Sequence, residues 1–472
     1  MVKANSDYQN FFKGKNVTVH GLGLLGRGIG DVIFLVKNGA DLIVTDLKTA
    51  EQLASSLEKI KKALSPDLFK KIKFVLGKHR LEDFSAQGGP ASGGRRPDMI
   101  IKAAGVPLDS PFIAEARKNK IPVEMDASLF VKLAEPIGMK IIGVTGTRGK
   151  STVTHLLAEI LMVAYGPKKI FLGGNVRGLA TLPLIQKVKA GDLVVMELDS
   201  WQLQGFGDAK ISPNVSVFTN LMVDHQNYYK NDMEAYFNDK ANIYRYQKPG
   251  EVIIAGKEIS RRIKADLVKG KLITISAKNF PSASRRSWKT KLIGEHNRFN
   301  AALAIAAARA LGVKDPVIKK VVANFAGVPG RLELIREVKG VKYYNDTTAT
   351  TPDGVMAAVH ALKPYQGKII LIGGGNDKEL DYKRYGQIVP KYLKGLILFK
   401  GAGTDKILKV LPAKPKFLVS VVDNMKDALK QAQSLIKKGD LILLSPGATS
   451  FGIFKNEFDR GDQFNRIVNS IK

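Results

Sequence analysis

Short apolar runs recur along the whole chain and alternate with helix-like stretches: NVTVH (16–20), ADLIVTD (40–46), DMIIKAAG (98–105), KIIGVTG (140–146), DLVVMEL (192–198), GKIILIGGG (367–375) and GDLILLSPG (439–447). That rhythm is the pattern of βαβ units and parallel sheets. The runs are apolar at nearly every position, as expected of strands covered on both faces. Glycine or a small polar residue follows most of them, which puts loops at the carboxyl ends of strands, where α/β folds bind ligands. At roughly 100–200 residues per domain, 472 residues make about three domains. The spacing predicts a three-domain α/β chain. A Rossmann-like first domain covers 1–136, a central P-loop ATPase-type domain 137–327, and a Rossmann-like carboxyl-terminal domain 328–472. QGGPASGGRRP (87–97) reads as a flexible surface insertion.

Cysteine is absent, which excludes disulfides, thiolate zinc sites, iron–sulfur clusters and a cysteine nucleophile. No run of 18 apolar residues occurs, and the amino-terminal segment has no secretory apolar core, so a soluble, cytoplasmic protein without a membrane partner is expected. Lys plus Arg is 74 against 43 Asp plus Glu, a formal charge of +31. Such a balance suits nucleic acid, anionic lipid or phosphorylated substrates. The lysines are spread along the chain rather than gathered in one block, so a solvated basic surface is the reading, with no nucleic-acid partner and a monomeric state expected.

The strongest local signal is Gly143-Val-Thr-Gly-Thr-Arg-Gly-Lys-Ser-Thr152, between the strand KIIGV and the helix pattern STVTHLLAEILMVA. Loop and helix-start N–H groups there can face phosphates. Lys150 would reach the β- and γ-phosphates of ATP, and the Ser151 hydroxyl would ligate Mg2+. The first glycine of the usual G-x-x-x-x-G-K-[ST] pattern falls on Val144.

TGTRGKST resembles the T-G-[TS]-[NKR]-G-K-[ST]-[ST] loop of the Mur ligase family, ATP-dependent amide ligases of peptidoglycan assembly. Other landmarks follow in order. GGNVRG (173–178) resembles GGNIG, MELDSWQL (196–203) resembles ELSSFQL, and TNLMVDHQNYY (219–229) resembles TNI-x-x-DHLD. YFNDKANIY (236–244) resembles Y-x-x-AK-x-RI, and GEHNRFNAALAIAAA (294–308) resembles G-x-HN-x-x-NA-x-AA. The resemblance implies that ATP phosphorylates a substrate carboxylate and that an amino-acid amine then displaces phosphate. It implies an ATP site on Gly146, Thr147, Gly149, Lys150, Ser151, Thr152, Asn297 and Asn300. It implies Mg2+ ligands Ser151, Glu197, His225 and a carbamylated Lys240, with Lys150, Glu197, His225 and Lys240 as the catalytic set. Asn175, Asp199 and Gln202 are implied at the substrate. Asp239 stands where the family has alanine.

His20-Gly-Leu-Gly-Leu-Leu-Gly26 follows a strand and opens a helix, with Asp46 ending the next strand. Alone this reads as a dinucleotide fingerprint. In the family the same geometry holds the UDP of a UDP-N-acetylmuramoyl substrate, which implies Leu24, Leu25, Asp46, Lys48, Ala104 and Gly105 as its contacts. Leu25 replaces the family's usual threonine.

In the third block, NDTTATTPDG (345–354), GGGNDKELDY (373–382) and LLSPGATSFGIFKNEFDRGDQF (443–464) resemble the D-glutamate-adding members of the family. The partners implied are UDP-N-acetylmuramoyl-L-alanine and D-glutamate. Lys378 and Thr350 match the α-carboxylate residues, Ser450 the γ-carboxylate residue, and Arg331 with Asp346 the ATP pair of this block. Two positions depart: Thr348 stands for a lysine, and Glu457–Phe458 reads as a transposed aromatic. The alternatives are a Mur-type ligase for L-glutamate or another acidic amino acid, a basic P-loop ATPase acting on nucleic acid, and an NAD-binding sensor.

Overall fold

The apolar runs form strands. In the computed structural model, which describes residues 7–24, 26–90, 93–266, 268–281, 288–377 and 379–471, they assemble into three sheets. Leu25 and Lys378 lie outside the described residues. The first sheet contains β1 (Asn16–His20), β2 (Asp41–Asp46), β3 (Ile72–Leu76), β4 (Met99–Lys102) and β5 (Val123–Glu124). Its order is β3-β2-β1-β4-β5, all parallel, with Val17 opposite both Leu42 and Met99. The order reverses between β1 and β4, so the crevice beyond their carboxyl ends is the switch point at which open α/β sheets take ligands.

The second sheet contains β6 (Lys140–Thr145), β7 (Ile170–Gly174), β8 (Leu193–Glu197), β9 (Val215–Phe218), β10 (Val252–Gly256) and β11 (Lys271–Ile275). It is parallel in the order β11-β10-β9-β6-β8-β7, which puts the glycine-rich loop after β6 near the sheet centre. The third sheet contains β12 (Glu333–Val338), β13 (Val341–Asn345), β14 (Ile369–Gly374), β15 (Leu393–Phe399), β16 (Leu418–Val422) and β17 (Leu441–Leu444), ordered β12-β13-β17-β14-β15-β16. Among the described strand pairs of this sheet, β12–β13 is antiparallel and the rest are parallel.

Cα packing groups the chain into two compact units, Met1–Ser276 with Leu303–Ile318, and Ala277–Ala302 with Lys319–Lys472. The first holds two sheets over a shared apolar core that includes Val32, Leu35, Phe130, Leu182 and Phe206. The helix Asp126–Ala134 sends Phe130 into that core, fully buried. Truncating such a phenylalanine to alanine costs about 3–5 kcal/mol. The second unit carries one core on each face of its sheet, Leu371 and Leu443 on one side and Ile372 and Leu444 on the other. This alternation explains the uninterrupted apolar runs of β14 and β17.

Within the 87–97 segment, both arginines are described, and both are tied down. Arg95 pairs with Asp41 at 3.2 Å, and Arg96 donates to the carbonyls of Asn119 and Lys120 at 3.0 and 3.1 Å.

Candidate functional site

At the β1/β4 switch point, a cavity of about 190 Å3 is bounded by Gly21, Gly23, Leu24, Arg27, Ala104 and Gly105. Asp46, at the end of β2, organises its wall. One carboxylate oxygen accepts the N–H groups of Leu22 and Gly23, both at 3.0 Å, and the other accepts the Lys48 N–H at 2.9 Å. The Lys48 ammonium lies 3.9 Å from Asp46 and is half-exposed, and Leu24, on the cavity wall, is exposed. Opposite, Lys102 is buried at the end of β4 and donates to the carbonyls of Ala103, Ala104 and Val106 at 3.2, 3.2 and 2.6 Å. Burial pushes its ammonium down to about 8, opposed by the charges of Asp199, Asp208 and Asp239. Sequence reasoning missed Lys102. Its signal is a lysine ending an otherwise apolar strand.

His20 ends β1, almost fully buried, with its ring 4.4 Å from His79 and 4.8 Å from Phe84. Its Nδ1 has no hydrogen-bond partner, and burial, with His79 and Lys102 adding to it, drives its pKa down to about 3.

The second sheet builds the phosphate loop. The helix Lys150–Tyr165 starts directly after it, so its N-terminal N–H groups face the space that the loop encloses. Gly146 has φ +137°, and a Cβ there would overlap the Thr219 hydroxyl, so glycine is required. The loop is pinned from behind by β9's successor residues. The Thr147 N–H donates to the Asn220 carbonyl at 2.9 Å, and the Arg148 N–H to the Asn220 side chain at 2.9 Å. The Thr219 hydroxyl donates to the Arg148 carbonyl at 2.6 Å. These two residues were not singled out as site residues, although the TN pair opens one of the quoted segments.

Lys150 donates to the carbonyls of Gly146 and Thr147 at 2.9 and 3.2 Å, and Lys240, from the helix Met233–Ala241, donates to the same Gly146 carbonyl at 3.0 Å. Lys240 is buried, and burial together with the Lys150 charge holds its ammonium well below the usual lysine range. Glu197 ends β8 between Val144 and Gly174 in register, and its carbonyl accepts the Asn175 N–H at 2.6 Å. His225 occupies a left-handed conformation, φ +54°, unusual for a residue with a side chain, and its ring lies tilted by 55° against Trp201, with centroids 4.7 Å apart. Its neighbour Asp224 pairs with Arg148 of the loop at 2.9 Å. Asp239 is satisfied by Gln204 and Tyr229 at 2.8 and 2.9 Å. Ser151 and Thr152 are buried in the first turn of the loop helix.

Asp199 and Gln202 are brought to this edge, but they first serve the helix Ser200–Ala209. Asp199 accepts the Gln202 N–H at 2.8 Å and Gln202 accepts the Asp199 N–H at 3.3 Å, a reciprocal capping box. The Gln202 Nε2 is left buried without a partner.

Among the described residues, no three His, Asp or Glu side chains gather as a ready metal cage. A divalent cation here would draw on the Glu197 carboxylate, the Ser151 hydroxyl and the His225 imidazole. A buried amine at Lys240 with its proton affinity lowered is the form that can take up CO2 and become an anionic oxygen donor. That donor chemistry fits Mg2+.

In the second unit, the loops after β13, β14 and β17 meet at one sheet edge. Gly447 N–H donates to the Ala349 carbonyl at 2.8 Å, and Asn376 and Thr449 exchange two backbone bonds at 3.1 and 3.0 Å. Asp346 is buried here. Its carboxylate accepts from the Ser445 hydroxyl at 2.9 Å and from the N–H of Leu332, the left-handed residue after Arg331, at 3.0 Å. Burial lifts its carboxyl to about 7, against those two hydrogen bonds and the Arg331 charge. Thr350 is half-buried and Ser450 buried on the same loops. Asn297 and Asn300 lie in the helix Glu295–Ala310, where the Asn297 amide donates to the Ile293 carbonyl at 2.9 Å and the Asn300 amide to Asn297 at 3.3 Å.

Residues 144–308 match the family described as Mur ligase middle domain, and residues 330–447 the family described as Mur ligase, glutamate ligase domain. The UDP-N-acetylmuramoylalanine–D-glutamate ligase of Roseiflexus sp. (strain RS-1) is 35% identical over 97% of this chain and 99% of its own. Among solved structures, the UDP-N-acetylmuramate-alanine ligase MurC of Thermotoga maritima aligns with a TM-score of 0.61 at 21% identity, over 97% of this chain and 100% of that one. MurF ligase of Thermotoga maritima, solved in complex with ADP, aligns with a TM-score of 0.59 at 17% identity over 99% of each chain.

Proposed function

The chain belongs to the Mur ligase family, and on that premise we propose that it joins D-glutamate to UDP-N-acetylmuramoyl-L-alanine at the expense of ATP, a step of peptidoglycan precursor synthesis. The observation that carries this reading is the full-length likeness to a D-glutamate ligase, on a fold whose phosphate loop holds Lys150 and Lys240 on one carbonyl.

In this reading, residues 1–136 hold the UDP-sugar through the loop that Asp46 organises. Residues 137–327 hold ATP, and residues 328–472 hold the amino acid. The alanyl carboxylate attacks the γ-phosphorus, ADP leaves, and an acyl phosphate forms. The glutamate amine, having lost a proton, attacks the acyl carbon and expels phosphate. Phosphoryl transfer is chiefly positioning and charge neutralisation. Lys150 and the N–H groups of the loop helix supply both. Ser151, Glu197, His225 and carbamylated Lys240 would hold Mg2+, which when bound neutralises charge on the transferred phosphoryl group. Arg331 and Asp346 are assigned to nucleotide binding by their motif. Thr350 and Lys378 take the α-carboxylate and Ser450 the γ-carboxylate. We place the reaction, which consumes ATP and a UDP-sugar, in a cytoplasmic monomer.

A second reading, L-glutamate or another acidic amino acid, is favoured by one observation. Thr348 replaces a lysine, and its hydroxyl turns to the Gly330 carbonyl at 2.9 Å, so no charge is supplied there. Phosphate release with the UDP-sugar substrate, scanning D-Glu, L-Glu and D-Asp, separates the two. The first reading expects D-Glu to dominate, and a preference for either other acid would replace it.

A further inference from the structure

Arg460 is fully buried, and it lies in the first turns of the helix Glu457–Asn469. Its Nε donates to the Thr347 hydroxyl at 3.2 Å, its Nη2 to the Thr347 carbonyl at 2.9 Å, and its Nη1 more weakly to the Ala448 carbonyl at 3.4 Å. Thr347 and Ala448 sit on the two loops that carry Thr350 and Ser450. The approach is close by design of the sequence. A Cβ on Gly461 would come within 2.6 Å of the Thr347 methyl, so glycine is needed after the arginine. The Thr347 hydroxyl in turn donates to the Glu457 carbonyl at 2.7 Å, and the Asn345 amide donates to the Gly461 carbonyl at 3.3 Å. One helix thereby clamps both loops.

None of the three acceptors of Arg460 is a carboxylate. Glu457 attracts it only through space, and burial lowers its pKa to about 10, so it stays a cation at neutral pH. A buried guanidinium held by neutral oxygens is an expensive way to cross-link two loops. Hydroxyl and amide groups would serve as well at less cost. The charge is accounted for if an anion arrives beside it, because in a low-dielectric interior its field reaches the incoming group with little screening. The amino acid proposed for this edge is a dicarboxylate, and the residue that would have brought a positive charge from the same loop is Thr348.

We infer that Arg460 is the positioning residue for the amino-acid end of the reaction: it sets the Thr347–Thr350 and Ala448–Ser450 loops in register and supplies from beneath them the positive charge that Thr348 omits. The inference rests on the reading of this edge as the glutamate site.

The test measures KM for D-Glu, ATP and the UDP-sugar in Arg460→Met, with thermal midpoints alongside. The D-Glu KM should rise about 10-fold or more, with the other two within about twofold. Adding Thr348→Lys to the same chain should bring the D-Glu KM back down without restoring the thermal midpoint, which a merely structural arginine would not allow. If Arg460→Met does not fold, Arg460→Lys and Thr347→Val are read by the same criterion. Both keep the charge and lose part of the clamp, and both should raise the D-Glu KM by a smaller factor. An unchanged D-Glu KM, or all three KM values and the midpoint moving together without recovery from Thr348→Lys, overturns the inference. Wild-type protein that makes no product from D-Glu would instead remove the functional reading beneath it.

Discussion

The ammonium of Lys240 lies 3.0 Å from the carbonyl oxygen of Gly146, the same oxygen that accepts from Lys150 at 2.9 Å. Burial lowers the proton affinity of Lys240, and the repulsion between two lysines on one carbonyl lowers it further. Carbamylation would turn that liability into an oxygen ligand. Lys240→Ala should therefore be nearly inactive, and a short carboxylic acid in the buffer should restore part of the rate. A folded Lys240→Ala enzyme with near-normal phosphate release, or an intact mass without the added carbamate in a fully active protein, would contradict this.

Lys150→Ala should abolish ATP turnover and leave the fold intact, because the side chain donates to two loop carbonyls and is not part of the apolar core. Losing one such charge from a phosphoryl-transfer site costs about 100-fold or more. Phosphate release and circular dichroism on the same preparation check it.

Asp46→Ala should loosen the Leu22–Gly23 turn, since one carboxylate oxygen holds both N–H groups. The UDP-sugar KM should rise about 10-fold or more, each charged hydrogen bond being worth roughly 1.5–3 kcal/mol, while the ATP KM stays near its wild-type value. Equal shifts in both would point to global damage.

Lys378→Ala and Ser450→Ala should weaken D-Glu use, the lysine by about 10- to 150-fold and the serine by less. The lysine's role rests on its motif, since it lies outside the described residues, whereas Ser450 is buried at the sheet edge. Separate KM values for D-Glu and the UDP-sugar check the assignment.

His20 is neutral in the folded protein, its pKa held near 3, whereas an unfolded histidine takes up a proton near 6.5. The unfolded state therefore binds more protons between those values, and stability falls as pH drops through 6.5 towards 3. Full development is on the order of a few kcal/mol. His20→Phe, set among Phe84 and Phe112, should show a shallower loss of stability between pH 6.5 and 5 than wild type, read from denaturant midpoints.

Much of this architecture is legible in the chain. The runs at β4, β14 and β17 are buried at every position, as their unbroken apolar character requires, and the loop helix starts at Lys150 where GKST predicts it. The β12–β13 hairpin was not legible. Its outer strand is half-exposed and mixed in character, and its turn uses Lys339–Gly340, both with positive φ, in place of the more recognisable Asn-Gly. Lys102 and Arg460 were missed for a different reason. Local pattern places a charged residue at the surface, and only contacts between segments far apart in sequence decide that it is buried. Asp46 was read as a ligand contact, and the structure adds that its oxygens already hold the loop. The insertion's arginines, taken as part of a flexible stretch, find partners on Asp41 and on the carbonyls of Asn119 and Lys120.

The most direct test of the central claim is a product assay with purified protein, ATP, Mg2+, UDP-N-acetylmuramoyl-L-alanine and D-glutamate, following ADP, phosphate and the mass of the UDP-sugar together. The account predicts one ADP and one phosphate per amide formed, and no turnover when D-glutamate is left out. ATP hydrolysis that proceeds without the amino acid, is stimulated by a polynucleotide and leaves the UDP-sugar unchanged would contradict it.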